Sequence, residues 1–419
     1  MRIALAALSL LLSAALAAAQ GPTPPRFIVN TVDGPLPAGP LLQLSDDFSL
    51  QIPGDPPKQI AGKDLVAIRQ ATGSLPRFLS QNVLLLNNGD RVPVDVRKGW
   101  RLDQDRLYFR PAPPLQSTKD LDLSVNYVAV LCLGKGDADA LDEQNSLLTK
   151  ALTESRTRDV ILFTDGDRVE GTLKNLDSVQ GAKLDINGKL TPIPLARIKA
   201  IAFNTEFKAR PRGKGPFAQT VLSNGARLGF SKLRLEAGKE TLTGVTLFGP
   251  TVELPLAELR AIDIRQGPAV YLSDVAVSSK QTSYLNLAWP IVKDASSAGK
   301  PLQIGKDFFE KGIGMHSQSE AIYPLDGKYR WFETTVGMDE RHGQMGRVRL
   351  RVLADKKELP LIGAGKEPAA TSILCTRQDG PITLRLDVRG AKELILAVDF
   401  ADFGDVQGHV NWGNARVIK

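Results

Sequence analysis

Apolar and polar residues alternate with period two through much of the last third of the chain. Val348, Leu350 and Val352 interleave with Arg347, Arg349 and Arg351, and Ile382, Leu384, Leu386 and Val388 interleave with Thr383, Arg385, Asp387 and Arg389. One apolar and one charged face mean strands that cover a core on one side only. Leu394 to Phe400 is more continuously apolar and predicts a central strand. Together these segments predict a β-sandwich from about Ala269 to Lys419. Upstream, short apolar runs are broken by Asp-Gly and Asn-Gly pairs, which mark hairpins because the turns that match strand twist need positive φ. Helical periodicity is expected only between Asp137 and Arg158, where Leu141, Leu147, Leu148 and Leu152 share a face.

The upstream part repeats itself. Ile193-Pro194-Leu195-Ala196-Arg197-Ile198-Lys199-Ala200-Ile201 aligns with Leu254-Pro255-Leu256-Ala257-Glu258-Leu259-Arg260-Ala261-Ile262. Each follows a turn, at Asp165-Gly166 and at Asn224-Gly225, by 27 residues (Gly166 to Ile193) and 29 residues (Gly225 to Leu254). Fainter copies run from Asp33-Gly34 to Ile68 and from Asn88-Gly89 to Val130. Taking Ile68, Val130, Ile201 and Ile262 as equivalent gives intervals of 62, 71 and 61 residues, and one inserted helix accounts for the longer middle interval. The expected organisation is 1–19 signal peptide, 20–78, 79–158, 159–210 and 211–268 as four repeats, the second with the inserted helix, and 269–419 as the sandwich. Each repeat reads as about five short antiparallel strands. The run from Phe163 to Gly171, with a turn glycine and a second glycine where a strand bends, resembles the opening strands of Sm-like and SH3-like small barrels. The fold class is therefore all-β: tandem small β-barrel-like repeats followed by a sandwich.

Composition narrows the setting. Met1 to Ala19 has an early Arg2, an apolar stretch and an Ala17-Ala18-Ala19 exit, the pattern of a cleaved signal peptide, so a secreted or periplasmic protein without a membrane span is expected. Most of the net charge of +7 resides upstream, because from Ala269 onward 20 Lys and Arg face 18 Asp and Glu. A basic cluster at Lys208, Arg210, Arg212 and Lys214 sits among Pro211, Gly213, Gly215 and Pro216, which reads as a solvated linker rather than a nucleic-acid site. Interleaved aromatics for stacking on bases are missing from the repeats. Cys132 and Cys375 lie in apolar segments of different domains; buried thiols are the commoner state there, and a disulfide between domains is the alternative.

Four motifs occur in order in the last third: Tyr271-Leu272-Ser273-Asp274, Gly312-Ile313-Gly314-Met315-His316-Ser317, Val336-Gly337-Met338-Asp339 and Asn411-Trp412-Gly413-Asn414-Ala415-Arg416. This run resembles the NPCBM family, carbohydrate-binding modules first noticed beside family 98 glycoside hydrolases. The resemblance implies a galactose-binding-like sandwich, or jelly roll, that recognises a glycan or polysaccharide through its loops. His316 falls on the family's Gly-x-Gly-x-His position. Where the family often has Asp before and after its late tryptophan, this chain has Asn411 and Asn414, which removes negative charge and separates its ligand preference from the family's. Related modules commonly carry a structural calcium, for which Asp339 is the candidate ligand.

The residues themselves point the same way. All three histidines, His316, His342 and His409, and three of four tryptophans, Trp289, Trp331 and Trp412, belong to this module. A sugar site needs an aromatic platform beside fixed polar groups. The carbohydrate-binding candidates are His316, Trp289, His342, His409, Asn411 and Trp412. Trp331 alternates as a core strand residue, Trp412 serves either core or ligand, and His316 is as readily a structural histidine. No nucleophile elbow, short-spaced zinc ligands or recognisable acid pair stands out, so a non-catalytic protein is expected. The alternative is an assembly scaffold making protein contacts through the repeats and the sandwich.

Overall fold

The structure, a computed structural model, describes residues 24–96, 99–133, 141–282, 288–361, 370–402 and 404–419. The signal-peptide segment and Asp137 lie outside these residues. The chain is all-β, with barrel-like repeats upstream and a two-sheet sandwich at the C-terminal end.

Each upstream unit opens with a hairpin and closes by pairing its first strand with its last. Phe27–Thr31 pairs with Leu65–Gln70, Val83–Leu86 with Val128–Cys132, Asp159–Phe163 with Ile198–Ala202, and Phe217–Leu222 with Leu259–Arg265. One 3-10 turn precedes each closing strand: Gly62–Asp64, Val125–Tyr127, Leu195–Arg197 and Leu256–Glu258. The turn glycines Gly34, Gly89, Gly166 and Gly225 have φ of 140°, 96°, 97° and 88°, the left-handed backbone the hairpins require. Helix Leu141–Thr153 falls in the long middle interval and lays Leu148 and Ala151 on Val83, Leu85, Val130 and Cys132.

The units are not beads on a string. The closing strands of the first and fourth pair antiparallel, Ile68 opposite Ile262, and those of the second and third do the same, Leu131 opposite Ile201. Ile68 and Ile262 thus meet as equivalent positions, whereas in the second ladder Ile201 faces Leu131, one residue past the expected Val130, which pairs with Ala202. One hydrophobic core runs from Phe27 to Ile264.

In the sandwich, one sheet has the order Val292–Lys293, Gly312–His316, His409–Ile418, Trp331–Met338, Ile382–Asp387. The other runs Ser278–Gln281, Ser319–Pro324, Glu393–Phe400, Arg347–Ala354, Lys357–Glu358. Val348, Leu350, Val352, Leu384 and Leu386 turn into the core between them. Glu393–Phe400 is central, and its apolar run is continuous because Ile395 and Ala397 also pack with Leu353 on the outer face. Cys132 and Cys375 are both buried and not disulfide-bonded, and burial pushes the Cys375 thiol up to about 12.

The sandwich is fastened to the repeats by buried charge. Asp263, on the closing strand of the fourth unit, accepts two hydrogen bonds from Arg69 Nη2 at 2.7 and 2.9 Å and one from Tyr271 Oη at 2.9 Å. Arg416 of the sandwich reaches Asp263 at 3.3 Å and Glu333 at 2.9 Å, and Arg385 pairs with Glu333 and donates to Val32 O at 2.7 Å. Burial acts to raise the Asp263 carboxyl, but Arg69, Arg265 and Arg416 outweigh it and hold the group far below the carboxylate range. Trp331, expected in the core, instead packs at this junction, with Arg385 over its ring at 4.6 Å and Val66, Ala67 and Ile418 alongside. Removing one member of a buried ion network leaves the others unpaired, at about 3–5 kcal/mol. Asp263→Asn is expected to lower stability by about that amount in urea unfolding, whereas Lys328→Ala, which breaks an exposed pair with Asp326, leaves the urea midpoint almost unmoved.

Candidate functional site

Strand pairing brings the histidines together. Gly312–His316 lies beside His409–Ile418 with His316 directly opposite His409. Both glycines of Gly312-Ile313-Gly314 are needed for close approach: a Cβ on Gly312, at φ 154°, would meet Trp412 O at 2.3 Å, and one on Gly314 would meet Ala295 O at 2.3 Å. The second approach carries the segment bearing Ser296 and Ser297 across the strand. Asp339, just beyond strand Trp331–Met338, is hydrogen-bonded through its N–H to His409 O at 2.9 Å.

At this end of the sandwich the rings of His316 and His409 are 4.4 Å apart, and His342 is 5.6 Å from His409. Trp289, half-buried, stacks on His316 at 5.1 Å with a 22° interplanar angle and stands edge-on to His409 at 4.8 Å. His316 Nδ1 contacts Ser317 O at 2.6 Å; a carbonyl only accepts, so Nδ1 carries the proton and Nε2 is the acceptor of the neutral ring. Asp405 lies 3.3 Å from the same nitrogen. His409 Nδ1 shares a hydrogen bond with Ser297 Oγ at 2.8 Å, and His342 Nδ1 contacts Asp339 Oδ1 at 3.0 Å. Burial lowers the His316 titration, and burial together with His316 and His342 brings His409 down to about 4. Both rings are therefore neutral at pH 7, each with one donor and one acceptor, beside an aromatic face.

Five of the sequence candidates converge here: Trp289, His316, His342, His409 and, behind them, Asn411. Asn411 is fully buried and donates to Asp339 Oδ2 at 2.8 Å and Gln303 O at 3.0 Å, so it anchors the loop. Trp412 points the other way, fully buried in the sandwich core with Ile313, Val336 and Val398. The calcium expectation for Asp339 does not fit. Its Oδ1 accepts from the N–H groups of His342 and Arg341 at 2.7 and 3.1 Å as well as from the His342 ring, and its Oδ2 is taken by Asn411. Among the described residues no three His, Cys, Asp or Glu are grouped to hold a metal ion. Asp339 is thus a loop anchor.

The sequence pattern did not single out Ser297, Met345 or Val406. Met345 and Val406 are 71% and 55% exposed on the two loops flanking the histidines, and Gln407 Oε1 ties the loops by accepting from Met345 N at 2.8 Å. Exposed apolar side chains on loops leave no periodic signal. Ser297 is identified only by the backbone crossing over Gly314.

The geometry defines a β-sandwich module with an aromatic and imidazole cluster at one end. Residues 268–418, the sandwich, match the NPCBM/NEW2 domain family. A Renibacterium salmoninarum protein named for endo-alpha-N-acetylgalactosaminidase activity is 25% identical over 135 residues, 31% of this chain but 8% of that protein's length. The CBM51 module of a Clostridium perfringens GH95 protein, solved in complex with methyl-galactose, is 25% identical, with 36% of this chain and 99% of that one covered and a TM-score of 0.29. A second C. perfringens structure, CBM51-2 of ZmpB with GlcNAc, is 24% identical over 43% of this chain and 36% of that chain, with a TM-score of 0.31.

A histidine whose native titration lies below its ordinary 6.5 resists protonation only when folded, so between pH 6.5 and about 4 the unfolded chain binds more protons and stability falls with pH. The His409 contribution is on the order of 3 kcal/mol. Urea midpoints are expected to drop more steeply from pH 7 to pH 4 for the wild type than for His409→Gln; equal slopes would remove His409 as the titrating group.

Proposed function

We propose that this chain is an exported, non-catalytic carbohydrate-binding protein whose site is the Trp289, His316, His409 and His342 cluster. The observation that carries this reading is the convergence of all three histidines of the chain with a half-buried tryptophan at one end of an NPCBM sandwich. A pyranose offers an apolar C–H face to an aromatic ring and hydroxyls to groups that both donate and accept. With its Nδ1–H given to Ser317 O, His316 keeps Nε2 to accept from a hydroxyl, and the 71% exposed Met345 adds apolar surface on a flanking loop. Export is supported by the Arg2 and Ala17-Ala18-Ala19 pattern. Among the described residues no helix is long and apolar enough to cross a membrane.

A second reading, a protein-contact scaffold, draws on Val179, Leu190 and Phe207, which are 89%, 54% and 70% exposed in the third unit and the segment after it. Its occupant has no chemistry on the surface to name it, whereas the histidine cluster names a class.

A glycan screen on the chain from Gln20 to Lys419 separates the two. Binding is expected, weakened at least about tenfold (~1.4 kcal/mol) by Trp289→Ala and by His316→Ala with unchanged circular dichroism. Absence of binding across the screen, or binding indifferent to both changes, would favour the scaffold.

A further inference from the structure

A cleft of about 540 Å³ opens where the second unit, the fourth unit and the sandwich meet, away from the histidines. Its wall includes Phe217, Gln219 and Arg265 of the fourth unit, Glu310 and Lys311 of the sandwich, and the Asn88-Gly89 turn of the second. The volume lies in the range of small-molecule sites, roughly 300–1,000 Å³.

Arg265 is the informative residue. Its side chain is 10% exposed, and its guanidinium sits 4.1 Å from the Tyr271 ring centroid. The nearest carboxylate oxygen, Glu310 Oε2, is 3.6 Å from Nη2, beyond hydrogen-bond reach, and Nη1 is buried without a partner. A guanidinium has five donors, and buried donors are almost always satisfied. Lys311, by contrast, is doubly paired, at 2.5 Å from Asp274 and 2.8 Å from Asp294. Gln219 is turned to Asp90 at 3.1 Å, and its Nε2 stands 3.5 Å from Glu310.

The lining selects the ligand. Three carboxylates, Asp274, Asp294 and Glu310, outnumber two cations, Arg265 and Lys311, leaving one net negative charge. An anion is disfavoured there. A neutral ring bearing hydroxyls is not: its oxygens accept from Arg265, its O–H groups donate to Glu310, and the half-buried Phe217 ring offers a face to its C–H groups. We infer that this junction cleft is a second, separate binding site for a neutral saccharide unit, read by Arg265, Glu310 and Phe217. It stands apart from the histidine cluster, so either site can fail without the other.

The test uses the full mature chain carrying His316→Ala, which weakens the sandwich end. Galactose, glucose, mannose, N-acetylglucosamine and, as the charged match to galactose, galacturonate are titrated by NMR. At least one neutral sugar is expected to bind, at least about tenfold tighter than galacturonate, and to be weakened at least about tenfold by Arg265→Gln and by Phe217→Ala. Phe217→Ala keeps the test valid if loss of Arg265 unfolds the junction, which the melting temperature reports. No binding by any neutral sugar, a preference for galacturonate, or binding untouched in folded Phe217→Ala and Arg265→Gln chains would overturn the inference.

Discussion

A single buried carboxylate, Asp263, holds the two halves of this protein in register. It lies on the closing strand of the fourth unit, one residue past Ile262, the apolar position that pairs with Ile68. Next to Ile68 in sequence is Arg69, so the same ladder that joins the first and fourth units delivers the first arginine to Asp263. The second arginine, Arg416, comes from the sandwich. Taking three charges out of water is repaid only by near-complete pairing, and the pairing through Tyr271, Glu333 and Arg385 leaves little freedom for the sandwich to swing. Arg416 also lies near the far end of the strand that begins at His409 and runs to Ile418. At about 3.3 Å per residue, the ion network and the histidine cluster are roughly 23 Å apart on one rigid element. Cutting the module free at the Gln266-Gly267-Pro268 junction would strip Arg416 of Asp263.

Much of the fold was legible because its signals are local. Positive φ at the four turn glycines and alternation in Arg347–Ala354 can each be read within a few residues, and so can the helix. The pairing of the first unit with the fourth was not, because a ladder between Ile68 and Ile262 leaves no trace near either residue beyond their apolar character. The expectation of separate repeats follows from the duplication, whereas the single core follows from which closing strands find each other.

The site was half legible for a similar reason. His316, His342 and His409 stood out by rarity, and the strand register then brought them together. Trp412 was grouped with them as the tryptophan of the late motif, but successive residues on a strand face opposite ways. His409 and Asn411 share one face, while Val410 and Trp412 share the core face. Trp289, from a loop, supplies the aromatic ring. Asp339 resembled a calcium ligand only while its partners were unknown; three N–H donors and the Asn411 amide use its oxygens.

Burial that keeps His316 and His409 neutral makes them hydrogen-bonding groups rather than charges, which suits an uncharged hydroxylated ligand. The chain has three histidines and all lie in the cluster, so imidazole resonances report on this site and nowhere else. The most direct measurement is therefore a histidine-selective NMR titration of the mature chain with a glycan that it binds. The account predicts saturable shifts of the His316 and His409 imidazole signals, with His342 following, at the same dissociation constant as overall binding. Saturated binding that leaves all three imidazole signals unmoved would contradict it.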